Sequence, residues 1–429
     1  MKNTPYWWTA LAEKTNTEKP LPIKADVVIV GAGITGLNAA LTLVKANRNV
    51  LLMDANQAGY GASTRNAGFL SKAHLHSLST LIQKYGEDKA IPLVEEACKA
   101  FDFTQALIER EKIDCHYNPS GRIYWAYTHQ QGKKLHTEHQ ALAKHFSRLN
   151  INANLTGSSA QSLDIHSAQY HQGLHVKDSS TLHPGLYTQG LEQRVCENGA
   201  ELACNTKVKS IEKKASGFTV KTSRGDVQAN QVIVATNAYV GEETPYFRQR
   251  VVPVVGQMIA IKPNDPAMLE KLLPNHIAHL DVRAMFRFWR RSPDNTHILF
   301  GSRTGFAAPN PNKAAAQLKG LLVDIFPQLA QSPVSHYWKG LLGGTMDQFP
   351  HLGCHNGIYY ATGMNGHGVP MGTYLGDNIA KKLMREHDTA TQFDDLSFKA
   401  APLIKGKSWF MPLVCGAQKV AEKMEKPVS

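Results

Sequence analysis

Asp26-Val27-Val28-Ile29-Val30-Gly31-Ala32-Gly33-Ile34-Thr35-Gly36 is a run of β-branched residues that enters a G-x-G-x-x-G turn. Leu37 to Ala46 then reads as a helix. A second apolar run, Val50-Leu51-Leu52-Met53, ends on Asp54, eighteen residues after Gly36. Each glycine has a mechanical reason: Gly31 allows the tight turn, Gly33 lets the backbone approach a pyrophosphate, and Gly36 lets helix and strand pack closely. Phosphates beside Ile34 and Thr35 would meet the open N–H groups and positive end of the helix. Asp54, followed by Ala55, would accept hydrogen bonds from a ribose. A βαβ unit whose glycines only tighten a turn shares the same motif. The order strand, turn, helix, strand, acid is what favours a dinucleotide site.

At 429 residues the chain exceeds the usual ceiling for one core, so two domains are expected. Hydrophobic residues make up 42% and no long polar tract interrupts them, as in a globular chain. Six scattered cysteines, with no C-x-x-C pair, argue against a zinc site, a cluster or a disulfide framework and favour a reducing cytoplasm. The nineteen histidines include no H-E-x-x-H, so no metal site is expected. Ala25–Val44 is apolar, but Asp26, its glycines, Thr35 and Asn38 suit a βα unit better than a membrane span. The first twenty residues show no signal-peptide core. The net charge of +12 permits attraction to nucleic acid, anionic lipid or acidic partners. Its lysines and arginines are dispersed, as on a solvated surface.

Residues 1–24 form a lead-in whose Tyr6-Trp7-Trp8 is expected to pack onto the domain surface. After Asp54 comes Gly59-Tyr60-Gly61-Ala62-Ser63-Thr64-Arg65-Asn66-Ala67-Gly68. Small residues permit close backbone approach to a flat ligand, and the Ser, Thr and Asn side chains can exchange hydrogen bonds with it. Arg65 could offset phosphate charge or orient the loop. An ordinary loop ahead of a helix cap is the plainer alternative. Together with the fingerprint, Gly61–Gly68 resembles the FAD-dependent amine and amino-acid oxidoreductases of the D-amino-acid-oxidase superfamily. Sarcosine oxidase, glycine oxidase and γ-glutamylputrescine oxidase are members; the similarity is closest to the last branch and extends over most of the chain.

The resemblance implies an α/β (α+β) two-domain fold. A Rossmann-type FAD-binding domain would comprise residues 1–110, 180–245 and 340–390, interleaved with an antiparallel-sheet substrate-binding domain of 111–179 and 246–339. Residues 391–429 would pack back on the fold. Helical periodicity covers 75–115, Gly121–Ala126 reads as a strand, 128–148 as an exposed helix, and a further helix runs from His183-Pro184-Gly185 to about Asn198. Ala203–Val208 and Gln231–Asn237 read as core strands. In the family an Ala-Thr turn, here Ala235-Thr236, lies beside the pyrophosphate and the position of Val208 meets the adenine; buried strands without ligand contact are the alternative. Phe286-Arg287-Phe288-Trp289-Arg290-Arg291 alternates aromatic and basic residues. It reads as a strand with one buried and one solvated face rather than a stacking platform for nucleic acid. The resemblance puts Phe286 and Phe288 at the floor of the substrate pocket.

The last informative block carries Gly340, Leu342 and then Gly363-Met364-Asn365-Gly366-His367-Gly368-Val369-Pro370, with a helix expected over Gly372–Met384. A glycine loop at a helix N-terminus suits an anion, here the N1–C2=O edge of a reduced flavin. Two glycine loops, one for pyrophosphate and one for the ring, favour FAD over NAD. His367 is the titratable side chain of that loop, and an orienting role suits it better than proton transfer. Relatives resembling glycine oxidase place a carboxylate-clamping arginine where Leu342 stands, and those resembling sarcosine oxidase a lysine where Pro370 stands. Their absence favours a primary or secondary amine over a simple α-amino acid, with Arg287, Arg290 or His351 as substitute anchors. Gly340 replaces the cysteine that bonds flavin in some relatives, implying noncovalent FAD. The lysine that assists oxygen there falls near Leu299, so oxygen or an electron carrier could accept the electrons.

The expected activity is therefore FAD-dependent amine oxidation in the cytoplasm. An amino-acid oxidase, a tRNA-modifying FAD enzyme and an FAD-stabilised binding subunit are the competing readings. A fourth is a membrane-surface dehydrogenase, suggested by Trp409-Phe410-Met411 and the lysine-bearing helix Gln418–Lys426.

Overall fold

The computed structural model describes residues 1–12, 19–156, 165, 167, 169–170, 172–302, 310–387, 389–394, 396–401, 406 and 408–424. Two eight-stranded sheets organise them. In the first, the fingerprint strand Lys24–Val30 lies between Asp226–Val234 and Val50–Met53, parallel to both. Glu201–Ala203 extends one side and Ile358–Thr362 the other, also parallel, and His351–His355 closes the edge antiparallel. Val27, Val28 and Ile29 are fully buried, which is why these strands read as continuous apolar runs rather than alternating ones. The hairpin Val208–Lys213 and Phe218–Thr222 is attached through Asp226–Ala229.

The second sheet runs Val334–Gly344, Val252–Ile261, Ile298–Ser302, Arg287–Arg291, Ala278–Asp281, Arg122–Ala126, Gln172–Val176 and Ala153–Thr156. Its pairings are antiparallel except that between Ala278–Asp281 and Arg122–Ala126. Helix Pro311–Ile325 packs its Ala314, Leu318 and Leu322 into the same core as Trp289 and Phe300.

Several elements differ from the sequence reading. The first helix is Ile34–Lys45 and the ring-loop helix is Gly368–Met384, so both begin three or four residues early. Gly36 and Pro370 fall within these first turns, where the helix requires no N–H bond from them. Ala203–Val208 is not one strand: the chain turns between Ala203 and Val208, where the Thr206 N–H donates to the Asp54 carbonyl at 2.7 Å. The strand Arg287–Arg291 has no solvated face. Arg287 reaches the Leu321 carbonyl and Arg291 the Leu273 carbonyl and Glu270, while Arg290 donates to the Leu182 carbonyl at 2.9 Å. Those acceptors let buried guanidinium groups replace water. Trp7 is core rather than surface. It is fully buried with Met258, Leu299 and Trp338, and its Nε1 donates to the Asn66 carbonyl at 2.8 Å.

Phe398 stacks on His351 with ring centroids 4.2 Å apart, and the Ala401 N–H donates to Gln249, which lays this part of the C-terminal segment on the first sheet. Its helix is Met411–Met424, so the end of the expected helix at Lys426 lies outside the described residues. Among the described residues no helix is long and apolar enough to cross a membrane.

Candidate active site

Two helix N-termini meet in one place. Ile34–Lys45 starts at Gly33 and Gly368–Met384 at His367; neither N-cap residue bonds the first turn through its own side chain, and neither first turn has an acidic residue. Their open N–H ends therefore keep their positive potential. The helices lie against each other because Gly372 and Gly376 leave room for Thr35: a Cβ on Gly376 would stand 2.4 Å from the Thr35 carbonyl oxygen.

At the fingerprint, Gly31 has φ +106° and a Cβ there would come within 2.9 Å of the Ala235 carbonyl, while one on Gly36 would lie 1.9 Å from that of Gly31. Ser63 Oγ accepts the Ile34 N–H at 3.0 Å, tying the Gly61–Gly68 loop to the first helix. Asp54 accepts from Ala32 and Asn56 N–H, both at 2.9 Å, which fixes its carboxylate at the strand tip. Arg65 spans the Tyr60 and Lys339 carbonyls and lies over the Trp8 and Tyr60 rings, contacts that hold its loop in place.

The second glycine loop is held by two asparagines. Asn237 Oδ1 accepts the Gly363 N–H at 3.0 Å, and Asn365 takes φ +47° while its Oδ1 accepts from Thr345 N–H at 3.1 Å. Burial lowers the His367 imidazole to about 3, helped by the positive charge of Arg122 and by His74, so the ring is neutral at pH 7. Its Nδ1 is buried without a hydrogen-bond partner among the described residues.

A cavity of about 1210 Å³ joins both loops. Gly31, Gly33, Ile34, Thr35, Asp54, Ala55, Gly61, Ala62, Ser63, Arg65, Asn66 and Ala67 line one part of it. Val208, Ala235, Thr236, Gly340, Asn365, Gly366, His367, Gly368 and Val369 line the next, and Phe286, Phe288 and Leu342 a further lobe. Gly36, Thr64, Gly68 and Gly363 stand behind the wall and shape it; a Cβ on Gly68 would fall 2.2 Å from the Leu182 carbonyl. Neither Arg287, Arg290 nor His351 reaches the cavity: their partners are Leu321, the Leu182 carbonyl and Asp347. Leu299 is also remote, in the Trp7 cluster. Sequence reasoning missed Asn237, Tyr239, Phe69, Tyr124 and Arg122. Asn237 directly follows Ala235-Thr236 and could have been flagged as a residue suited to left-handed backbone; the others come from strands and loops distant in sequence.

This geometry is that of a dinucleotide-binding oxidoreductase. The chain belongs to the family described as FAD dependent oxidoreductase (DAO), which matches residues 26–382. It is 28% identical over 410 residues to a probable oxidoreductase OrdL of Rhizobium meliloti, covering 93% of this chain and 92% of the relative. It is likewise 28% identical over 374 residues to the gamma-glutamylputrescine oxidoreductase of Escherichia coli, covering 87% and 86%. A crystal structure of glycine oxidase from Geobacillus kaustophilus superposes with a TM-score of 0.73 at 21% identity, over 88% of this chain and 99% of that one. The protein is thus an FAD-dependent oxidoreductase with the fold of that enzyme class.

The residues present fit FAD. Glycines keep the wall free of Cβ atoms where a pyrophosphate would approach, and Thr236 Oγ1 and His367 Nδ1 are buried polar atoms on that wall with no partner among the described residues. The volume also exceeds what one small ligand takes, roughly 300–1,000 Å³, leaving room for a substrate beside the cofactor.

Proposed function

We propose that the protein oxidises a small primary or secondary amine, giving an imine that hydrolyses to an aldehyde or ketone. The observation that carries this reading is the single cavity shared by two helix N-termini without acidic residues and an aromatic lobe. The names of the relatives, a gamma-glutamylputrescine oxidoreductase and several glycine oxidases, support it. FAD, when bound, supplies the acceptor for the hydride that leaves the carbon beside the amine.

Gly31, Gly33 and the first turn of Ile34–Lys45 would hold the pyrophosphate, Asp54 the ribose, Val208 the adenine side, and Gly363–Val369 the ring. The helix starting at Gly368 would favour negative charge gathering at the ring edge during reduction. Phe286, Phe288 and Leu342 exclude water around the amine; their apolar surface and the neighbouring Arg122 cation both disfavour an ammonium, keeping the amine neutral. Neutral His367 would orient it through one hydrogen bond. The cavity wall, among the described residues, contains no cysteine, which supports noncovalent attachment with Gly340 at the ring.

In this reading residues 1–110, 180–245 and 340–390 form the FAD-binding domain, and 111–179 with 246–339 the substrate-binding domain. The distribution of strands over two sheets supports it. Oxygen or an electron carrier takes up the electrons in a cytoplasmic setting. Exposed Trp409, Leu413 and Val420 support peripheral contact of the C-terminal segment with a membrane surface. Co-sedimentation with anionic vesicles checks that contact.

The test is anaerobic addition of amines and amino acids to the purified yellow protein. Bleaching by at least one amine is the expected result. Flavin that stays oxidised with every compound would overturn the reading, and colour that remains in an acid precipitate would overturn noncovalent binding.

A further inference from the structure

Three tryptophans converge on the 61–68 loop, each through its indole N–H. Trp8 Nε1 donates to Thr64 Oγ1 at 2.8 Å, Trp338 Nε1 to the Arg65 carbonyl at 2.9 Å and Trp7 Nε1 to the Asn66 carbonyl at 2.8 Å. The three acceptors are consecutive residues. Arg65 and Asn66 lie between the short helix Ala62–Thr64 and the strand Phe69–Ser71, outside both. Their carbonyls therefore lack the partners a ladder or helix would bring, and an indole, which only donates, satisfies them. Trp8 also covers Arg65, whose guanidinium lies 4.8 Å from its ring centroid and 4.6 Å from that of Tyr60.

Two of the three indoles come from outside the region that the family shares. Trp7 and Trp8 sit in the short helix Tyr6–Ala10, and the family match begins at residue 26. This segment is fastened to the second sheet. The Lys2 N–H donates to the Ser335 carbonyl at 2.8 Å, the Tyr337 N–H to the Lys2 carbonyl at 2.9 Å, and the Tyr6 hydroxyl to Asp294 at 2.6 Å. Trp338 stands on the edge strand Val334–Gly344 of that same sheet. The loop is thus bolted to the second sheet by three N–H groups, while Ser63 ties it to the first helix. Arg65, Asn66 and their neighbours line the cavity, so a loop held in this way is already ordered where the cofactor would lie. A loose loop would have to be ordered at the moment of binding, and affinity would fall accordingly.

We infer that Trp7, Trp8 and Trp338 are positioning residues for FAD, holding residues 64–66 in the shape that receives the cofactor. The inference rests on placing FAD against the 61–68 loop, and it is independent of which substrate the protein oxidises.

Dilution of the full-length holoprotein, with released FAD read by its fluorescence, tests it. Trp8→Phe keeps an aromatic ring but loses the donor, and it should bind FAD about fivefold more weakly with an unchanged circular dichroism spectrum. Thr64→Val removes the acceptor, so adding Trp8→Phe to it should weaken FAD no further. Parent-like FAD affinity in a folded Trp8→Phe overturns the inference, as does a loss that persists undiminished in the Thr64→Val background. Should Trp8→Phe not fold, Trp338→Phe is read in its place, with the same expected loss and the same overturning result. Failure of the underlying FAD placement looks different: there Gly33→Ala also binds FAD as the parent does.

Discussion

Gly36 shows how little freedom a single position can have. A methyl group there would sit 1.9 Å from the Gly31 carbonyl oxygen, a backbone atom that cannot turn aside, and a Cβ has no rotamer by which to avoid it. Gly36→Ala should therefore lower stability by about 1–3 kcal/mol or more, read as a shifted denaturant midpoint of the apoprotein. Gly33 is the contrasting case. Its added methyl would meet Ser63 Oγ at 2.8 Å, a flexible side chain, while occupying the cavity wall. Gly33→Ala should fold with little loss yet bind FAD roughly tenfold or more weakly, which flavin release on ultrafiltration measures. The close packing at Gly36 and the place of Gly33 on the cavity wall were legible in the sequence because a G-x-G-x-x-G turn is decided by residues close along the chain. Arg122, Phe69 and Tyr239 were not. What makes them part of the site is which strands lie side by side, and no local pattern announces that.

Elements were read well where period and burial agree, and poorly where tertiary contacts rewrite them. The apolar strands Lys24–Val30 and Val50–Met53 follow from composition alone. The aromatic and basic alternation of Arg287–Arg291 suggested one wet face, but carbonyl oxygens from Leu182, Leu273 and Leu321 stand where water was expected. The short N-terminal helix Tyr6–Ala10 is a similar case, since three aromatics in a lead-in give no hint of how deep they go. Trp7 fills a space between that segment and the second sheet, so Trp7→Ala should cost about 3–5 kcal/mol. Trp7→Phe keeps most of the packing but leaves the Asn66 carbonyl short of a donor, a loss of about 1 kcal/mol. Thermal unfolding of the two variants, run beside the parent, checks the order. If both cost the same, the indole N–H rather than the packing governs the position.

Across the whole molecule, burial lowers the imidazoles of His74, His183 and His336 to about 4 and those of His279 and His367 to about 3. In the unfolded chain each would titrate near 6.5. Below that pH the unfolded state binds protons that the folded state refuses, so stability falls as the solution is acidified. Each of these histidines should remove up to about 1.4 kcal/mol per pH unit between about 6.5 and its folded value. Asp281 acts in the opposite sense, because burial pushes its carboxyl up to about 6 and the folded state then holds a proton the unfolded one lacks. It offsets one histidine over part of that range, leaving a steep net decline. Urea midpoints at pH 7.5, 6.5 and 5.5 should drop in that order; a midpoint that does not move would refute the assignment. The interleaving of the sheets has a further consequence during synthesis. Lys24–Val30 finds one parallel neighbour at Val50–Met53 almost at once, but the other, Asp226–Val234, leaves the ribosome about 200 residues later. At roughly 5–20 residues per second that is roughly ten to forty seconds. Throughout that interval a nascent chain presents an apolar strand edge that only a chaperone or another unfinished chain can cover.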